Sequence, residues 1–253
     1  MLLPIGDDNR DLKITPFINY LLIALNIFAF IYWQRFGQDL AVTFGYATVP
    51  GEILTGTDII TSSKVLTDPY TGQDLQLPGL QPTPIPVFLT LITSMFMHGG
   101  IAHLLGNMLF LWIFGDNIEN VLGHLKYLVF YLLCGVLASL SHVFATLILG
   151  QNLLIPSFGA SGAISAVLGG YLLLFPTRGV YVWLFFFFVV TIPAFIVVGL
   201  WFVFQVLNGL GTLGGEEAGG IAYAAHIGGF ISGLFLVKSF MKKTPKRKAW
   251  WKG

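Results

Sequence analysis

Three short stretches of the chain carry side chains that could do covalent chemistry: "HGGIAHLLGN" at 98–107, "GASG" at 159–162 and "AHIGGFISG" at 225–233. A serine hydroxyl becomes a useful nucleophile when an imidazole within hydrogen-bond reach takes its proton. Ser161 and His226 are the residue types for that task. His103 and Asn107 stand four apart and share one helix face. An amide and an imidazole N–H aimed at one point suit the stabilisation of a developing oxyanion. Bland readings stand beside these. A membrane-helix serine commonly bonds back to a carbonyl one turn earlier, and His103 with Asn107 serves equally well as hydrogen-bonding glue between helices. His142 competes with His226 for the role of base, whereas His124, beside Lys126, reads as interfacial.

Such residues need elements to hold them, and composition says what those elements are. Of 253 residues, 55% are hydrophobic and only 10% charged, against roughly 25% charged in a soluble domain. Several apolar runs approach the about 20 residues that cross a hydrocarbon core. The reading is an all-α polytopic membrane protein, a six-helix bundle with spans near 16–33, 101–117, 125–149, 157–175, 179–204 and 221–240. Continuous apolar runs, with no alternation, disfavour a β-barrel. Residues 1–15 contain three aspartates and no cleavable leader pattern. They form an N-terminal segment, 16–240 the membrane domain, and 241–253 a basic tail. Arg10, Lys13, Arg178, Lys126 and the tail's basic residues segregate to one side, which places both termini in the cytoplasm of a cell membrane. The tail anchors topology and touches anionic lipid. Cys134 is alone and reads as packing.

The one long connection, 34–97, has no strong periodicity and reads as a functional external loop. A glycine-rich loop at 205–220 precedes the last span. The second, fourth and sixth spans run in the same direction, so the first turns holding His98, His103, Asn107, Ser161 and His226 share one depth, roughly 10 Å below the surface. Gly162, Ala166 and Gly170 recur every fourth residue, as do Ala225, Gly229 and Gly233. Two such small-residue ridges allow helix backbones to approach closely. If they face each other, Ser161 and His226 meet.

These motifs, in this order and on these spans, resemble the rhomboid intramembrane serine proteases over essentially the whole chain from first span to sixth. The resemblance implies a membrane-embedded peptidase with a Ser161–His226 dyad and no acidic third member. It also implies oxyanion stabilisation by His103, Asn107 and the Ser161 backbone N–H. His98, Gly159, Gly162 and Gly229 take supporting roles, and Glu119 and Gly123 in "DNIENVLG" a structural one. Substrates would be transmembrane proteins, with lipid as the surrounding partner. No cofactor, metal or nucleic acid is implied. Two positions depart from the family: Leu89-Thr90 stand where some members carry a Trp-Arg brace, and Ser165 where others carry an aromatic that stacks on the histidine. A catalytically silent binding protein on the same scaffold is the second reading. A small transporter fits less well, because the polar groups cluster near one face rather than at the midplane.

Overall fold

Prolines and glycines divide the chain. Pro16 precedes the first helix, Gly123 separates two long ones, Pro176 follows another, and Pro193 precedes a further one. A computed structural model, which describes residues 2–67, 74–184, 188–211 and 223–241, has the elements in this order. Strand β1 spans Leu2–Asp7, and helix α1, Phe17–Phe28, continues as a π-helical stretch over Ala29–Trp33. Short helices α2, Leu40–Gly45, and α3, Pro50–Thr55, follow, then strands β2, Lys64–Thr67, and β3, Asp74–Leu77, and the single turn α4, Thr90–Thr93. Next come α5, Ile101–Leu122, α6, His124–Ile148, and α7, Ser161–Leu174. Strands β4, Gly179–Leu184, and β5, Phe188–Pro193, lead into α8, Ala194–Gly211, and α9, Tyr223–Phe240, closes the bundle.

The centre of the bundle is α7, where every residue from Gly162 to Tyr171 is buried. Small side chains make that position possible. A Cβ added at Gly229 would lie 2.1 Å from the Gly162 carbonyl oxygen, and one at Gly233 2.0 Å from that of Ala166. The two ridges expected from the sequence therefore face each other in register, so α7 and α9 touch backbone to backbone. On the other side of α7, a Cβ at Gly162 would meet that of Ala138 on α6 at 2.9 Å.

Among the described residues, α5, α6 and α9 are long and apolar enough to cross a membrane, and 17–33, 161–174 and 194–210 are shorter apolar helices. Two expectations need correcting. The run 179–204 is not one helical span. It opens instead with the paired strands β4 and β5, the first of which also pairs with β1, giving an antiparallel sheet in the order β1-β4-β5. The bundle is thus mostly helical but not all-α. The cause is side-chain type: Val180, Tyr181, Val182, Trp183, Val189, Val190, Thr191 and Ile192 are β-branched or aromatic and fit a pleated surface. Hydropathy counted their apolarity and ignored their shape. Likewise α7 starts at Ser161, not near 157, and its 14 residues rise only about 21 Å. Non-helical chain fills the remaining depth. It is held where the Gly159 N–H donates to the Ser94 carbonyl at 2.8 Å and where Thr48 and Ser157 exchange backbone hydrogen bonds.

The long first connection is also built, not featureless. Asp39 caps α2 by accepting from the Val42 N–H, and the buried Glu52 carboxylate accepts from the Ile59 N–H and the Thr83 hydroxyl. At the bundle's opposite end Glu119, fully buried, accepts from the Ile18 and Asn19 N–H groups at 3.0 and 2.7 Å. It thereby caps α1, whose first N–H groups have no helical partner of their own. Residues 205–211, expected in the glycine-rich loop, belong instead to α8, while 212–220 and the basic tail from 242 onward lie outside the described residues.

Candidate active site

Ser161 opens α7, and its position determines what surrounds it. The first intrahelical donor of this helix is Ile164, whose N–H reaches the Ala160 carbonyl. The Ser161 N–H therefore stands among the free donors of a helix N-terminus, where partial positive charge gathers. One turn into the helix, the Ser165 hydroxyl donates to the Ser161 carbonyl at 2.6 Å. Gly159, two residues earlier, adopts φ +126°, which glycine tolerates; a Cβ there would sit 2.9 Å from His103 Nε2. The "GASG" spacing thus supplies a left-handed backbone turn, close approach of the His103 ring, and a helix start beneath the hydroxyl.

Ser161 Oγ lies 2.7 Å from His226 Nε2. The register of α7 against α9 produces that contact, since Gly162 and Gly229, each adjacent to or near the reacting pair, form the tightest packing beside it. His142, on α6, makes no side-chain hydrogen bond among the described residues. The structure joins Ser161 to His226 and leaves His142 outside the pair. His124 instead bonds Glu119 at the far end of the bundle.

The other ring nitrogen of His226, Nδ1, lies 2.8 Å from Gln205 Oε1 on α8. Trp201, one turn before Gln205, tilts against the imidazole with centroids 6.1 Å apart, and Tyr223 meets it edge-on at 6.4 Å. Aromatic packing on the histidine, absent from position 165, comes instead from α8 and from the first residue of α9.

Facing this pair across a cavity of about 570 Å³ are His103 and Asn107 of α5. Gly99 donates its N–H to His103 Nδ1, so Nδ1 is an acceptor and the ring proton resides on Nε2, the nitrogen nearest Gly159. Asn107 is 7% exposed, and its Nδ2 has no hydrogen-bond partner among the described residues. A buried amide donor left unpaired costs about 1–3 kcal/mol, so this amide is not acting as glue between helices. His98 is fully buried and packs edge-on against His103 at 5.1 Å. Its backbone is clasped by Gln34, which accepts from the His98 N–H and donates to the His98 carbonyl, both at 2.9 Å.

Gln34 and Gln205 were not among the residues the sequence singled out. Gln205 is a lone polar residue in the apolar run 200–207, and that isolation was the available signal; Gln34, beside Arg35, offered none. The brace expected of a Trp-Arg pair is met differently here. Thr90 is buried, and its carbonyl accepts from the Thr48 hydroxyl, which also contacts Ser94 Oγ at 2.9 Å.

Comparison with known proteins gives consistent matches. A family model described as Rhomboid domain matches residues 87–243. Rhomboid protein 1, mitochondrial, of Saccharomyces cerevisiae is 30% identical over 164 residues, covering 63% of this chain and 45% of that protein. RHOMBOID-like protein 4 of Arabidopsis thaliana is 35% identical over 147 residues, 58% of this chain and 32% of the relative. Rhomboid protease GluP of Bacillus subtilis is 34% identical over 154 residues, 57% of this chain and 24% of the relative. The matched region thus spans less than half the length of each of these relatives.

Proposed function

The chain belongs to the rhomboid family of polytopic membrane proteins, and on that premise we propose that it is an intramembrane serine endopeptidase with Ser161 as nucleophile and His226 as base. The observation that carries the proposal is the 2.7 Å contact between Ser161 Oγ and His226 Nε2 on the wall of a cavity where buried Asn107 Nδ2 stands without a partner among the described residues.

The chemistry follows from where the protons are. Ser161 Oγ attacks the carbonyl carbon of the scissile peptide as its proton passes to His226 Nε2. A C–O bond forms, and the carbonyl oxygen takes up negative charge. The Ser161 N–H, Asn107 Nδ2–H and His103 Nε2–H surround the space where that charge develops. The C–N bond then breaks, and His226 gives its proton to the leaving amine. Water repeats the sequence in reverse roles to free the acyl group from Ser161.

A peptide locked in a transmembrane helix has its carbonyls bonded internally, so the substrate segment must unwind before attack. Residues of low helix propensity near the cleaved bond favour this. We take the substrates to be transmembrane proteins and the surroundings to be lipid. Residues 16–240 form the membrane domain, with 1–15 and 241–253 on the cytoplasmic side of a cell membrane, and the end of the bundle holding Ser161 faces outward.

The test is labelling with a serine-directed fluorophosphonate, alongside cleavage of a reporter transmembrane substrate. The parent labels and cleaves. Ser161→Ala abolishes both, His226→Ala abolishes cleavage, and His142→Ala retains most of the activity. A dead His142→Ala with an active His226→Ala would refute the assignment of the base.

A further inference from the structure

Among the described residues no acidic side chain stands behind the Ser161–His226 pair, yet the outer nitrogen of His226 is not free. We propose that Gln205 is the positioning residue of this site, a neutral third member that fixes the tautomer and rotation of His226; this rests on the serine-peptidase reading above.

Three observations carry it. First, the contact is short and buried: Gln205 Oε1 lies 2.8 Å from His226 Nδ1, and Gln205 is 7% exposed. A carbonyl oxygen only accepts, so Nδ1 must carry the ring proton. Nε2 is then left with its lone pair toward the Ser161 hydroxyl, which is the form a general base needs. In the opposite tautomer Nε2–H would point at Oγ and could not take its proton.

Second, α8 brings another side chain to the same ring. Trp201, at i−4, lies on the same face of α8 and packs against the His226 ring. One side chain limits the ring's tilt, and the other fixes its rotation. The start of α8 is pinned as well, because the Ala194 N–H donates to the Arg178 carbonyl and the Phe195 N–H to that of Pro176. The start of the helix that carries Gln205 is therefore fixed by the connection between α7 and β4.

Third, an amide suits the location. A carboxylate at this depth would have to be desolvated, at a cost of several kcal/mol unless fully compensated. An amide oxygen orients the imidazole through the same geometry without a buried charge. It gives up the stronger stabilisation of the imidazolium that a carboxylate would provide.

The experiment uses the full chain in detergent with three variants, Gln205→Leu, Gln205→Glu and Ser161→Ala. Gln205→Leu preserves volume and removes the acceptor. It is expected to lower kcat by about ten- to a hundredfold, with KM changing less than about threefold and the melting temperature by no more than a few degrees. Gln205→Glu restores the acceptor and adds charge. It is expected to recover most of kcat and to displace the acidic limb of the kcat/KM–pH profile toward higher pH. With 15N-labelled histidine, His226 should be a single Nδ1–H tautomer in the parent and a mixture in Gln205→Leu. Parent-like kcat and tautomer in Gln205→Leu would overturn the proposal. So would equal loss in the Leu and Glu variants with unshifted pH profiles, because that pattern reports packing alone. If the parent fails to label with fluorophosphonate, the peptidase reading falls, whereas the tautomer measurement still decides whether Gln205 positions His226.

Discussion

Where α5, α7 and α9 begin, Asn107 and His98 hold buried nitrogens without partners among the described residues, and the side chains around them open onto a cavity. Where α7 ends and α8 starts, most of the polar groups bond one another, Asp7 Oδ1 being an exception. Asn117 donates to Asp7 at 2.9 Å and to Asn9 at 2.6 Å, Tyr171 donates to Asp7, and Arg178 donates to Asn117 and, at 3.0 Å, to Asp11 while lying over the Phe175 ring. One end spends its hydrogen bonds on the fold. The other withholds them for something that must arrive. Buried polar groups in a membrane protein therefore divide by whether their capacity is already consumed, not by residue type.

The largest effect should come from disturbing the helix contact beneath the withheld set. In Gly229→Val the new Cβ would overlap the Gly162 carbonyl, forcing α7 and α9 apart. A displacement of about 1 Å in catalytic geometry costs around a hundredfold, so cleavage should fall by at least that much. The melting temperature should fall too. A variant that cleaves and melts like the parent would show that this contact does not hold the site.

Asn107→Ala sharpens the contrast. Because its amide nitrogen supports no other group, the melting temperature should stay within about two degrees, whereas kcat should drop by about a hundredfold with KM little changed. A drop in stability without a drop in kcat would move Asn107 to the structural side. Asn117→Leu should do the reverse. It removes four hydrogen bonds of a fully buried side chain, lowering the melting temperature by several degrees while kcat stays within about threefold.

The smallest effect is expected from titration at the sheet end. Burial raises the Asp7 carboxyl from 3.8 to about 6, against the Tyr171 hydrogen bond and the nearby Arg178 charge, and its Oδ1 has no partner among the described residues. The folded state thus binds this proton more tightly than the unfolded chain does. Its contribution to stability is complete below pH 3.8 and is lost as pH rises through about 6. Melting temperature measured from pH 4 to 7.5 should carry a downward component that Asp7→Asn removes. An identical pH slope in that variant would place the titration elsewhere.

What the sequence revealed tracks how local each signal is. The recurrence of small residues every fourth position in 162–170 and 225–233 is a property of single helices, and it pointed to the α7–α9 contact that the structure contains. His103 and Asn107 were placed on one face by the same reasoning, although whether they glued helices or faced a cavity required the three-dimensional surroundings. Gln205 and His226 are 21 residues apart with most of a loop between them, so no periodicity connects them. The strand pair β4–β5 was hidden for another reason. In a membrane chain a β-branched apolar run and a helical span carry the same hydropathy, and only the partner strand at Leu2–Asp7 distinguishes them.

That partner strand bears on the order of assembly. Leu2 pairs with Leu184, so β1 must wait until the chain beyond α7 has been made, roughly 10–35 s at about 5–20 residues per second. During that interval its backbone N–H and C=O groups have no ladder to join. Once the sheet has zipped, Asp7 locks against Tyr171 and Asn117. β1 is thus a clasp that closes late, on chain made well after it.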